Sequence, residues 1–67
     1  MSIGKKIREL RKEKKWRQKR LAEEVGVTVN MVSMWELDKY DPSIFNCIVL
    51  ADVFNVTLDE LCCREEK

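Results

Sequence analysis

The sequence contains no histidine, which removes the commonest general base and the commonest metal ligand together. No nucleophile, base and orienting group can be assembled from the remaining residues, so catalysis is not expected. Three cysteines, Cys47, Cys62 and Cys63, form an odd set with no Cys-x-x-Cys pair. That spacing offers neither a disulfide framework nor a zinc site and suits reduced thiols, so no metal or cofactor is expected. No apolar run approaches the roughly 20 residues of a membrane span. Lys5, Lys6 and Arg8 also interrupt the N-terminal apolar residues too early for a secretory signal. These absences describe a soluble, intracellular chain of cytoplasmic type. With two glycines and one proline, no repeat, linker or low-complexity segment occurs, and residues 1–67 read as one domain. A domain of this size buries only about 60% of the surface its unfolded chain exposes, so pairing with a second copy would help it.

Charge is present but unevenly placed. Residues 1–20 hold ten Lys/Arg against Glu9 and Glu13, a local net of +8, while residues 21–67 hold three basic and ten acidic residues, a net of −7. One end of the molecule attracts a polyanion and the other does not. Any single lysine or arginine is explained by solvation of a helix face; ten in twenty residues are not. Charge alone still leaves nucleic acid, an acidic protein and a membrane surface as candidates.

The apolar pattern is helical throughout. Ile3, Ile7 and Leu10 form one stripe of a helix over about 3–14 with Ser2 as N-cap, and Lys14 is expected to lay its methylenes along the core edge. Lys15 falls where the chain must turn, a position that favours glycine. A second helix over 18–25 turns Leu21, Ala22 and Val25 inward and ends at Gly26. Thr28 caps a third helix over 29–37, whose inner side is Val32 and Trp35. Pro42-Ser43 opens a fourth over 43–54, with Ile44, Cys47 or Ile48, Leu50, Ala51 and Phe54 inward. Asn55 tolerates the left-handed conformation that closes it. Thr57-x-x-Glu60 is a capping-box signature for a last helix over 58–63, after which Glu65-Glu66-Lys67 are expected to fray. Leu21, Val32, Trp35, Leu50, Phe54, Val56, Leu58 and Leu61 are the expected core, and Cys47 reads as a small apolar core residue rather than a redox centre.

Residues 18–37 carry the functional signal. Two short helices joined by a glycine turn cross steeply, which requires a small residue where the backbones approach. Ala22 supplies it, and Leu21-Ala22-x-x-Val25-Gly26-Val27 followed by Val32 is a demanding pattern. The chain resembles the lambda-repressor/Cro-like helix-turn-helix domains of the xenobiotic-response-element type. The resemblance runs from Ile7-x-x-Leu10-Arg11 through Gln18-x-x-Leu21-Ala22-x-x-x-Gly26-Val27, Trp35-Glu36, Pro42-Ser43 and Leu50-Ala51 to Val56-Thr57-Leu58-Asp59-Glu60-Leu61. It implies an all-α, compact five-helix bundle whose second and third helices form the helix-turn-helix. The third enters the major groove and the second crosses the phosphate backbone.

With Val32 and Trp35 inward, helical geometry turns Asn30, Ser33, Met34 and Leu37 outward. Asn30 stands near the N-terminal end and can bond adenine N6 and N7 bidentately, and Val29 and Met34 suit a thymine methyl. The resemblance matches Val29, Asn30, Ser33 and Met34 to the base-reading positions of the family. The alternative for Val29, Met31 and Met34 is packing against another protein or a neighbouring helix. By resemblance, Gln18 is the phosphate-clamping glutamine. Arg17 replaces a short polar cap with a phosphate-reaching charge, and Thr28, Lys39 and Tyr40 lie near the DNA backbone. Asp38 and Asp41 stand where relatives carry glycine and neutral or basic residues, and weaken that loop as a contact. Arg11 and Glu36 resemble the internal ion pair of the family; both flank inward stripes, so partial burial is expected.

The expected role is a small transcriptional regulator, a repressor acting as a homodimer on a palindromic double-stranded operator. Tyr40, Leu58, Leu61 and Cys62 are the expected dimer surface. Cys62 and Cys63 are read as bystander thiols rather than a cross-link. The alternative is a protein-interaction role on the same fold, such as an antitoxin whose acidic half docks a toxin.

Overall fold

The computed structural model describes residues 2–62, which form five helices: α1 (Ile3–Glu13), α2 (Gln18–Val25), α3 (Val29–Glu36), α4 (Ile44–Phe54) and α5 (Leu58–Cys62). The expected extension of the last helix to residue 63, and the readings of Cys63 and of Glu65-Glu66-Lys67, lie outside the described residues. Among the described residues no strand occurs, and no helix is long and apolar enough to cross a membrane.

Caps set the helix starts. The hydroxyls of Ser2, Thr28 and Ser43 accept from the N–H groups of Lys5, Met31 and Asn46, each at 3.1 Å. Thr57 and Glu60 close a reciprocal box: Glu60 N–H donates to Thr57 Oγ1 at 3.1 Å, and Thr57 N–H donates to Glu60 Oε1 at 2.9 Å. Arg17 precedes α2 without a side-chain cap.

Four helix ends close through a left-handed residue: Lys15 at φ 61°, Gly26 at 89°, Asp38 at 60° and Asn55 at 59°. Each is followed by an N–H that reaches back to a carbonyl of the final turn: Trp16 to Arg11 at 3.2 Å, Val27 to Ala22 at 3.0 Å, Lys39 to Met34 at 3.0 Å and Val56 to Ala51 at 2.9 Å. Only one of the four is a glycine. A left-handed L-residue with a Cβ costs about 1–2 kcal/mol, and Lys15 is exposed with its backbone bonded in the turn. Lys15→Gly is therefore expected to stabilise the chain by about 1 kcal/mol, raising its thermal midpoint by about 4–8 °C by circular dichroism. An unchanged midpoint would show that the turn carries no strain.

The core consists of Ile7 and Leu10 of α1, Leu21 and Ala22 of α2, Val32 and Trp35 of α3, Cys47, Leu50, Ala51 and Phe54 of α4, and Leu61 of α5. α3 packs on both α1 and α2, so the third helix is held from its inner side by two others. Trp16, half-buried between α1 and α2, stacks at a tilt on Phe54 with ring centroids 6.3 Å apart. Lys14 is the exposed C-cap of α1, with its ammonium 5.3 Å from the ring of Trp16, which packs against the core.

α4 departs most from expectation. Ile44 is not inward but 73% exposed, and the choice between Cys47 and Ile48 falls to Cys47, leaving Ile48 52% exposed. Pro42 is the reason: it is buried beneath the first turn, where its carbonyl faces the Cys47 thiol at 3.7 Å. Ile44, at the first position of the helix, is thereby carried past the core. Val56 is only half-buried and Leu58 is exposed, because the five-residue α5 turns Leu61 inward and keeps Leu58 at the rim. Burial pushes the Cys47 thiol above its ordinary pKa, and the neighbouring Cys62 and Asp41 add to the shift. Cys47 thus stays a protonated core thiol, the opposite of a reactive thiolate.

Candidate nucleic-acid interface

The α2–α3 corner begins at Ala22. Its side chain is buried where the two helices approach, and its carbonyl accepts from both Gly26 N–H at 2.8 Å and Val27 N–H at 3.0 Å. Gly26 then turns the chain in a conformation open to glycine, and Thr28 starts α3. Burial of Val32 and Trp35 commits one side of α3 to the core. The opposite side carries Val29 and Asn30, both exposed, and Ser33 and Met34, both half-buried. Met31 and Leu37 flank them in solvent. All four residues matched to base reading therefore reach the surface of one helix whose back is anchored. Arg17 and Gln18 stand at the start of α2, Thr28 at the start of α3, and Lys39 and Tyr40 just beyond its end.

The position of α3 along its axis is fixed by a network that begins on α1. Arg11 Nε donates to Glu36 Oε2 at 2.7 Å, and its Nη2 donates to Glu36 Oε1 at 3.1 Å. Arg11 Nη1 donates to the Trp16 carbonyl at 2.8 Å, and Gln18 Nε2 donates to Glu36 Oε1 at 3.0 Å. The side chains of Arg11 and Glu36 are 11% and 4% exposed. The fork geometry of arginine matches the carboxylate at two points, and Gln18 ties the start of α2 to the same group. Gln18 is thus held by Glu36, which leaves one amide N–H and its carbonyl oxygen for another partner.

A second tie joins the far end of α3 to the start of α1. Asp38 Oδ2 accepts from Ser2 Oγ at 2.8 Å, and Asp38 Oδ1 accepts from Gly4 N–H at 3.3 Å. Asp38 is therefore the clasp between the two helices, a role its sequence context did not signal. The acidic side chain is spent on the positive N-terminal end of α1.

The residues expected at a dimer surface separate. Leu61 is fully buried and belongs to the core, not to a partner surface, because it is the side chain that short α5 turns into the bundle among the described residues. Tyr40 and Leu58 are exposed and Cys62 is half-buried. Beside them lies an apolar face absent from the expected set: Ile44, Ile48 and Phe45, the last 69% exposed. It adjoins a groove of about 370 Å³ between α4 and α5, lined by Ile48, Val49, Ala51, Asp52, Val56 and Leu58. That α4 must leave some apolar surface uncovered follows from its composition, with only Asn46 and Asp52 polar, because one small domain can cover only one side of it.

Residues 7–61 match the helix-turn-helix family. The chain belongs to the lambda-repressor/Cro-like helix-turn-helix proteins. This helix-turn-helix chain is 33% identical over 66 residues to the HTH-type transcriptional regulator ImmR of Bacillus subtilis (strain 168), covering 98% of itself and 52% of ImmR. It is 35% identical over 66 residues to the HTH-type transcriptional activator BcrR of Enterococcus faecalis, covering 98% of itself and 32% of BcrR. The chain thus spans about half or less of these relatives. Among solved structures, the P22 c2 repressor in complex with synthetic operator 9T superposes with a TM-score of 0.86 at 33% identity, over 91% of this chain and 92% of the repressor chain. The DNA-binding domain of the P22 c2 repressor in solution gives the same TM-score of 0.86 and 33% identity, over 91% of this chain and 80% of that domain.

Proposed function

We propose that this helix-turn-helix chain binds double-stranded DNA in a sequence-specific manner and acts as a transcriptional repressor. The observation that carries the proposal is the α3 surface. Val29, Asn30, Ser33 and Met34 face outward from a helix whose other side is locked by Val32, Trp35 and the Arg11–Glu36 pair. Kinship in fold to a repressor bound to its operator supports placing that surface in a major groove. Asn30 pairs with an adenine, Val29 and Met34 approach thymine methyls, and Arg17, Gln18, Thr28, Lys39 and Tyr40 meet phosphates. The setting is cytoplasmic, where the free thiols Cys47 and Cys62 remain reduced.

The active form is a homodimer on a palindrome. Its interface takes Tyr40, Leu58 and Cys62 from the residues expected at the sequence level and adds Ile44, Phe45 and Ile48, whose exposure is otherwise costly in water. A protein partner such as a toxin is the second reading, favoured by the same apolar face and the acidic Asp52 in its groove. Sedimentation of the pure chain decides between them: a two-chain mass supports self-pairing, and a lone chain at high concentration favours the other partner.

Selection of bound sequences from a random duplex library at two salt concentrations tests the proposal. A recovered palindrome with an A·T pair in each half-site supports it. Asn30→Ala is then expected to lose about 1–3 kcal/mol of discrimination at that pair, about 5- to 150-fold in relative affinity, with the other positions unchanged. Failure to retain any duplex at low salt would overturn the DNA reading, and unaltered selectivity in Asn30→Ala would overturn the role of Asn30.

A further inference from the structure

A polar notch of about 270 Å³ opens where α1, α2 and α3 meet, lined by Arg8, Arg11, Gln18, Ser33, Glu36 and Leu37. Its charges do not cancel. Arg11 and Glu36 neutralise each other in the inner network, and Gln18 is fixed to the same carboxylate. Arg8 remains: exposed, and without an ion pair or hydrogen bond among the described residues. Lys6, on the other side of α1, and Arg20, on α2, line no part of the notch and have Glu9 at 3.6 Å and Glu24 at 2.8 Å respectively. The notch therefore has a neutral, hydrogen-bonded wall, one free guanidinium at its mouth, and the Ser33 hydroxyl and second Gln18 amide N–H as further donors. Ser33 also belongs to the outward face of α3.

We infer that this notch is a seat for one DNA backbone phosphate and that Arg8 supplies its charge. The inference rests on the DNA reading above and extends it to α1, which that reading leaves without a contact. The guanidinium fork offers two parallel N–H groups to phosphate oxygens. Because the Arg11–Glu36–Gln18 network is already satisfied, the wall needs no rearrangement when the phosphate arrives. With α3 in the groove and α2 crossing the backbone, the junction of the two with α1 lies where a strand passes. A base edge is the less suitable occupant, since the notch lies at the flank of α3 nearer its C-terminal end, beside Glu36 and Leu37.

The test uses the full chain and the best duplex from the library selection, with binding followed by fluorescence anisotropy between about 50 and 200 mM salt. Arg8→Ala is expected to flatten the slope of log affinity against log salt by about 0.9 and to weaken binding about eightfold at about 0.1 M salt. Arg8→Lys keeps the slope. Lys6→Ala is the control for general charge, since residues 6 and 8 lie on opposite sides of α1 and Lys6 already has Glu9. Phosphate-ethylation interference adds a second readout: one position in each half-site becomes insensitive in Arg8→Ala. An unchanged slope in Arg8→Ala, or an equal loss in Lys6→Ala, overturns the inference while wild-type binding leaves the DNA reading standing. Absence of wild-type binding overturns both.

Discussion

Replacing Glu36 with alanine is expected to cost about 3–5 kcal/mol and to leave the chain largely unfolded at physiological temperature. The size follows from what the substitution strands. Arg11 is charged and almost entirely covered, and two of its three hydrogen bonds end on the Glu36 carboxylate. Without that carboxylate a guanidinium remains in the bundle with only the Trp16 carbonyl as partner, and Gln18 loses its acceptor as well. A domain of this length has a total stability of about 3–10 kcal/mol, so the loss is comparable with the whole. Urea titration followed by circular dichroism measures it directly. A midpoint within error of wild type would mean that water replaces the carboxylate and that the pair is in effect a surface one, worth about 0–1 kcal/mol.

The same pair separates stability from orientation. Arg11→Met combined with Glu36→Leu removes both charges together, and apolar replacements of buried pairs are often neutral or stabilising. Such a double variant is expected to fold. If the pair sets the angle at which α3 meets DNA, the double variant keeps its thermal midpoint and still loses affinity for the selected duplex. Equal affinity would assign the pair to folding alone.

How much of this was legible beforehand depended on the kind of signal. Helix starts were, because Ser2, Thr28, Ser43 and the Thr57–Glu60 box act within three residues of themselves. The inner and outer sides of α3 were also legible, since Val32 and Trp35 leave little choice of rotation. The pairing of Arg11 with Glu36 is implied by the family resemblance, and only its partial burial follows from their places on the flanks of two apolar stripes. Which face of α4 points outward is not legible, because Asn46 and Asp52 alone interrupt its apolar residues and leave no clear periodic minimum to orient it, and a buried Pro42 outside the helix packs at its start. By sequence, Asp38 is an unfavourable charge in a loop. Its bonds to Ser2 and Gly4 span 36 and 34 residues of sequence, and no local pattern reports a partner that distant. Leu61 had a signal pointing inward and one pointing to a partner; the brevity of α5 decided for the core.

Gly4 yields the expected result whose sign runs against propensity. In an exposed helix, Gly→Ala stabilises by about 0.5–1 kcal/mol, and Gly4 has no positive φ to protect. Here it is buried on α1 directly against the end of α3. A Cβ at this position would overlap the Trp35 carbonyl oxygen and stand 2.5 Å from Asp38 Oδ1 and 3.1 Å from Asp38 Cγ. The Asp38 side chain could swing aside by giving up its bonds to Ser2 and Gly4. The Trp35 carbonyl could not, since it is backbone of a core helix and accepts from Asp38 N–H at 3.0 Å. α1 would have to lift, loosening the packing of Ile7 and the approach of Arg11 to Glu36. Gly4→Ala is accordingly expected to destabilise by about 3 kcal/mol, the upper end for overpacking, lowering the thermal midpoint by about 12–24 °C. Asp38→Ala in the same chain identifies the obstacle. If the carbonyl is responsible, the second substitution restores nothing; recovery would place the conflict in the carboxylate, and a Gly4→Ala chain that melts above wild type would show that the two helices can part at no cost.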